Sequence, residues 1–158
     1  MLLQFADGSN FATGAAPYAY RPATDREVSP RVIITIKLGD IVTTAFVDTG
    51  GVYLWCPPHI ANDLGVDLEQ GDRVGPIVSA RGVVEGVLVR VPMTLFAEEG
   101  HSLVIEPTIF VPLMKQGAEW PDDFPCILGM QGCLERLRFA VDPNDDTFYF
   151  GELAPADT

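Results

Sequence analysis

Residues 31–51 read RVIITIKLGDIVTTAFVDTGG. Val32 to Leu38 is a β-branched run, and Gly39-Asp40 after it is a turn signal. Ile41 to Val47 then reads as the partner strand of a hairpin. Along it Val42, Thr44, Phe46 and Asp48 share one face, because side chains alternate with period two. Asp48-Thr49-Gly50-Gly51 breaks that strand sharply, and Val52 to Trp55 reads as a short apolar strand of its own. A carboxylate is thus placed at the end of an apolar strand. The glycines behind it allow a tight turn and a close approach of backbone N–H groups, and the Thr49 hydroxyl is available to brace the turn. Taken alone, Asp-Thr-Gly also fits an ordinary turn aspartate.

Outward from this segment the texture stays β-rich. Pro57-Pro58 followed by Ile60, Ala61 and Leu64 predicts a short helix, with Gly65 as its stop. Arg73–Val78 and Val83–Val91 predict a hairpin whose tip is Ser79-Ala80-Arg81-Gly82. Pro92–Phe96, Leu103–Val111, Arg138–Val141 and Thr147–Gly151 are further strand candidates, and Lys115–Pro125 reads as a polar loop. Cys126-Ile127-Leu128-Gly129 has the form of a short buried strand, and Gln131–Leu137 that of a second helix. Residues 1–29 show no sustained period and read as an irregular N-terminal arm. The domain is expected over 30–153, with a tail over 154–158. Short strands at close spacing with one or two short helices predict a mainly β fold closed into a single-lobe barrel.

Composition narrows the function classes. The chain has 158 residues, a formal net charge of −12 and 47% hydrophobic residues. That length suits a single domain. Ten basic residues against 22 acidic ones argue against a nucleic-acid footprint and against an anionic membrane surface. No apolar run is long enough for a membrane helix, and MLLQFADGSN lacks the basic n-region of a secretory signal. Three Cys without a C-x-x-C pair do not make a disulfide framework, so a cytoplasmic, reducing location is expected.

Other constellations are weaker. Cys56-Pro57-Pro58-His59 has the spacing of half a zinc site, but no second pair matches it. Asp142-x-Asn144-x-Asp146 has the start of a Ca²⁺ loop, yet Thr147 stands where Gly is required and Leu153 where Glu is. No Gly-rich segment has the strand–G-x-G-x-x-G–helix context of a dinucleotide site. No metal and no cofactor are expected.

In order along the chain stand an apolar strand into Asp48-Thr49-Gly50, a short helix, a glycine-bearing hairpin, Ile127-Leu128-Gly129, a helix candidate and the terminal hairpin RFAVDPNDDTFYFG. From about Arg31 to Gly151 this pattern resembles the retropepsin-like (retroviral-type) aspartic proteases. The resemblance implies Asp48 as the catalytic carboxylate. Thr49 and Gly50 would support it by hydrogen bonds across a dimer and to the carboxylate. Gly75–Gly86 would be the flap that closes over substrate, and Ile127-Leu128-Gly129 the strand behind the catalytic loop. Substrate would meet Val78, Ser79, Ala80, Arg81, Gly82, Val83 and Ile127. Phe148, Tyr149 and Phe150 could add to an intersubunit sheet, or simply form the last strand of the barrel.

The chemistry of that family needs two carboxylates sharing a proton, since like charges this close cannot both ionise. The chain has one Asp-Thr-Gly. The expectation is therefore a homodimer that hydrolyses peptide bonds in a polypeptide substrate, with Asp48 from each copy on the two-fold axis. A charge of −12 per chain would slow the association at low salt. Gly51 and Gln131 depart from the family's pattern. They leave open a non-catalytic peptide-binding or dimerisation module of the same fold.

Overall fold

The structure is a computed structural model and describes residues 1–79, 82–115 and 118–155. The first strands are β1 (Gly14–Pro17), β2 (Ala19–Arg21), β3 (Arg31–Leu38), β4 (Ile41–Val52) and β5 (Leu54–Trp55). The helix α1 (Pro58–Asp63) and a 3-10 turn at Leu68–Gln70 follow. Then come β6 (Asp72–Ser79), β7 (Gly82–Arg90), β8 (Met93–Leu95), β9 (Glu99–Gly100), β10 (Leu103–Ile105) and β11 (Thr108–Pro112). The chain closes with β12 (Cys126–Gln131), a 3-10 turn at Leu134–Arg136, β13 (Arg138–Asp142) and β14 (Thr147–Gly151).

The β3–β4 hairpin forms where the sequence predicts it, with Leu38 opposite Ile41 across Gly39-Asp40. Its inward set, Ile34, Ile36 and Leu38, is buried in the main core. Burying each such side chain contributes about 1.5–3 kcal/mol. The Asp48-Thr49-Gly50-Gly51 segment continues β4 rather than ending it, so Val52 belongs to β4 and only Leu54–Trp55 form the next strand. Helix α1 starts on Pro58 after Pro57 and stops at Leu64, with Gly65 at φ +70° beyond it.

The strands form two sheets. The larger has the order β10-β8-β3-β4-β12-β5-β11-β7-β6, with β2 on β3. It is open: its end strands β10 and β6 are not paired with each other, which corrects the expected closed barrel. Closure requires a stagger summed over all strand pairs. Here the terminal strands are drawn off into a second, four-stranded sheet, β13-β14-β1-β9. Phe148 and Phe150 of that sheet join Ile36, Leu54 and Leu128 of the larger one in the main core.

Within residues 1–29 the structure places β1 against β14 and β9, and β2 against β3. The arm is therefore woven into both sheets rather than irregular there. Because β14 lies between β13 and β1 of its own chain, both of its edges are occupied. Phe148–Phe150 are therefore an interior strand of the smaller sheet, with no free edge of their own to offer. The second helix is also corrected. Only Leu134–Arg136 turn, as 3-10, and Leu137 is already extended at φ −146°, ψ 163°. Arg136 fixes this short turn by donating to the Glu106 carbonyl at 2.6 Å and to Thr108 Oγ1 at 2.8 Å.

Cys56, Cys126 and Cys133 are free and buried. Burial pushes the Cys133 thiol up from 9.0 to about 12, with Arg136 pulling weakly the other way. Between those values the folded chain keeps a proton that the unfolded chain releases. This contribution is fully present below pH 9.0 and is lost as pH rises towards 12. Denaturant midpoints should accordingly fall from pH 9 upward, and Cys133→Ala should flatten that alkaline slope.

Candidate functional site

Asp48 owes its position to β12. That strand inserts between β4 and β5, running parallel to the first, with Gly129 in register with Asp48, and antiparallel to the second. The Gly129 N–H donates to the Tyr53 carbonyl at 2.9 Å, and the Tyr53 N–H donates to the Gln131 carbonyl at 2.7 Å. The approach is so close that a Cβ on Gly129 would lie 2.5 Å from Tyr53 O and 2.8 Å from the carbonyl carbons of Gly51 and Val52. Only glycine fits there. Ile127-Leu128-Gly129 thus lies directly behind the Asp48 loop.

The Asp48 carboxylate is half-buried and accepts the Gly50 N–H at 3.1 Å. Thr49 and Gly50 are exposed. A Cβ on Gly51 would sit 3.3 Å from Asp48 Oδ2. Glycine at that position therefore leaves room beside the carboxylate.

Asp48 and Gly50 open into a cleft of about 640 Å³. One wall comes from β6, through Ile77, Val78 and Ser79; the other includes Phe46, Trp55 and Ile127. Of the expected substrate-contacting residues, Val78, Ser79 and Ile127 line this cleft, whereas Gly82 and Val83 do not; of the expected catalytic loop, Asp48 and Gly50 line it and Thr49 does not. Ala80 and Arg81 lie outside the described residues. The β6–β7 hairpin projects into solvent, with Val78 80% and Val83 63% exposed. Ser79 Oγ donates to the Gly82 carbonyl at 3.1 Å near the tip.

Phe46, Phe124, Arg31 and Glu27 line the cleft without having been anticipated as site residues from the sequence. Phe46 and Phe124 pack edge to face at 5.8 Å between ring centroids, and Trp120 stands edge-on to Phe124 at the same distance. With Ile33 they make a second, smaller core beside the cleft. The segment read as a polar loop thus supplies an apolar wall. Arg31 and Glu27 also line the cleft. The Arg31 guanidinium lies 4.8 Å above the Phe46 ring, and its Nε is 3.7 Å from Glu27 Oε2. Glu27 Oε2 further accepts the Ala23 N–H at 3.3 Å. The i,i+4 spacing of Glu27 and Arg31 was the available signal; their place beside Asp48 depends on β3 and β4 pairing.

Among the described residues no cluster of His, Cys, Asp or Glu could hold a metal ion, and no helix is long and apolar enough to cross a membrane. A larger cleft of about 820 Å³ includes Tyr53, Asp67 and Arg90 in its lining but none of the Asp48 group.

No family model and no curated protein matches the chain. Solved structures do. A retropepsin-like aspartic protease from Rickettsia conorii superposes with a TM-score of 0.55 at 21% identity, covering 89% of this chain and 94% of that one. The retroviral protease-like domain of Ddi1 from Leishmania major gives a TM-score of 0.49 at 17% identity, over 84% and 100% of the two chains. An inhibitor complex of EIAV protease gives 0.44 at 18%, over 67% and 86%. With β12 threaded between β4 and β5 behind Asp-Thr-Gly, and with the first of these superpositions, the chain has the fold of the retropepsin-like aspartic proteases.

Proposed function

We propose that the chain is an aspartic endopeptidase that works as a homodimer. The observation that carries this reading is the acid inventory of the cleft. Only Asp48 and Glu27 are acidic among its described lining residues, and Glu27 is engaged by Arg31 and by the Ala23 N–H. One carboxylate therefore remains for chemistry, in a fold whose mechanism requires two. A second copy would bring its own Asp48 to the first. The exposure of Thr49 and Gly50 leaves that edge of the loop accessible to it.

In the resulting pair one carboxylate is ionised and the other protonated. The ionised group takes a proton from water as the water oxygen attacks the peptide carbonyl carbon. The protonated group donates to the carbonyl oxygen. Collapse of the tetrahedral species breaks the C–N bond, and a proton passes to the leaving amine. Substrate would lie extended beneath the β6–β7 hairpin, bound by strand-like backbone hydrogen bonds. Apolar side chains would rest on Val78, Ile127, Phe46 and Phe124.

A peptide-library digest over a range of pH tests this reading. The expected result is cleavage next to apolar residues with a bell-shaped pH dependence, since one acid must be charged and the other neutral. A dimer that binds peptides but cleaves none at any pH would instead establish the non-catalytic module.

A further inference from the structure

The cysteines take no part in the Asp48 chemistry, yet two of them stand face to face behind it. β5 and β12 are antiparallel, with Leu54 opposite Leu128 and Trp55 opposite Ile127. One further step in that register sets Cys56 opposite Cys126. The kind of pair follows from the ladder. The Gly129 N–H donates to the Tyr53 carbonyl at 2.9 Å, so Tyr53 and Gly129 hold a hydrogen-bonded position. By alternation Trp55 and Ile127 hold the next, and Cys56 and Cys126 fall on a non-hydrogen-bonded one. The Cys56 N–H accordingly turns the other way and donates to the Phe110 carbonyl of β11 at 2.9 Å.

Non-hydrogen-bonded pairs are the closer kind, with Cα atoms about 4.5 Å apart and side chains on one face. A disulfide spans Cα separations of about 4.4–6.8 Å. The two thiols are already within hydrogen-bonding reach. Their hydrogen bond is the largest of the influences that hold the Cys126 thiol well above its ordinary range, ahead of burial. Cys56 Sγ in turn donates to the Pro57 carbonyl at 3.5 Å. Both residues belong to the main core, Cys56 1% and Cys126 0% exposed. Cys133 shares that core but comes after the Gly132 turn, beyond the end of β12.

We propose that Cys56 and Cys126 are a redox-active dithiol, oxidised by a peroxide to a cross-strand disulfide that latches β12 to β5 behind the Asp48 loop. One sulfur attacks a peroxide oxygen. The O–O bond breaks, a sulfenic acid forms, and the thiol's proton leaves with the other oxygen as water. The second sulfur then attacks the first. The S–S bond forms, the S–O bond breaks, and the second proton departs with that oxygen as water. The pair gives up two electrons and two protons, and hydrogen peroxide becomes two waters. Burial keeps both sulfurs out of reach of solvent, so the reaction awaits local opening of β5, a strand of two residues. The same shielding protects the bond from reductants once it has formed. The bond also closes the long loop from 56 to 126 in the unfolded chain, and so stabilises the fold. The latch does not depend on whether the chain cleaves peptides.

Oxidation of the full chain with hydrogen peroxide tests it. Intact mass should show the loss of two hydrogen atoms per chain, regained on unfolding in dithiothreitol. A peptide map without reductant should join the Cys56 and Cys126 peptides and leave Cys133 a thiol. The melting temperature should rise by about 5–10 °C. Cys56→Ala and Cys126→Ala should each lose both changes, and Cys133→Ala should keep both. The wild-type map identifies the bond even where an alanine variant folds poorly. Retention of all three thiols, a bond through Cys133 or between chains, or a Cys56–Cys126 bond that leaves the melting temperature unchanged would each overturn the inference.

Discussion

Asp48→Asn is expected to abolish peptide cleavage, by about ten-thousandfold or more, while leaving fold and dimer in place. Amide and carboxylate have nearly the same shape, and an amide oxygen can still accept the Gly50 N–H now donated to Asp48 Oδ1 at 3.1 Å. What the amide cannot do is exchange a proton with water. The loss should therefore fall on turnover rather than on peptide affinity, because general acid–base catalysis alone contributes about 10²–10⁴ and the two acids act as a unit. Melting temperature should move by no more than about 2 °C, as for an isosteric change away from the core. Residual cleavage within tenfold of wild type would remove Asp48 from the chemistry.

The second large effect is on stability. Gly129→Ala should cost about 3 kcal/mol, or a fall of about 10 °C in melting temperature for a chain of this size. The added methyl would meet Tyr53 O at 2.5 Å and two further backbone carbons at 2.8 Å. These are backbone atoms of the loop that carries Asp48, so no side chain can swing aside to relieve them. Either β12 separates from β5 or the loop is pushed forward. Activity should fall with stability, and should not return when the protein is assayed well below its new melting point. A variant that melts and cleaves like wild type would show that Gly129 is not the packing constraint described above.

Local patterning made the strands and the site legible. Alternation in Arg31–Leu38, the Gly39-Asp40 turn and the Pro57-Pro58 start each state a backbone preference within a few residues, and each appears where expected. Of the residues that the family resemblance singled out, Asp48, Gly50, Val78, Ser79 and Ile127 line one cleft, and Thr49, Gly82 and Val83 do not. Long-range pairing was not legible. Gly14–Pro17 has neither alternation nor β-branched residues, and is a strand only because Phe148–Phe150 present it with an edge. Trp120 and Phe124 sit among charges and prolines, and their apolar role appears only once Phe46 is beside them. The open sheet has the same origin, because barrel closure depends on registers summed over distant strands. The second helix failed for a local reason missed in the pattern: Gly132 at φ +76° and the extended Leu137 leave space for one 3-10 turn.

The central claim is that each active site is shared by two chains, and subunit mixing tests it most directly. Wild type and Asp48→Asn are mixed at increasing proportions of the variant, allowed to exchange subunits, and assayed at constant total protein. If two Asp48 residues make one site, only wild-type pairs are active. The rate per wild-type chain then falls in proportion to the wild-type fraction, to about half when the two chains are equal in number. A rate per wild-type chain that stays constant across the mixture, with exchange verified, would mean that one Asp48 suffices, and would contradict the account.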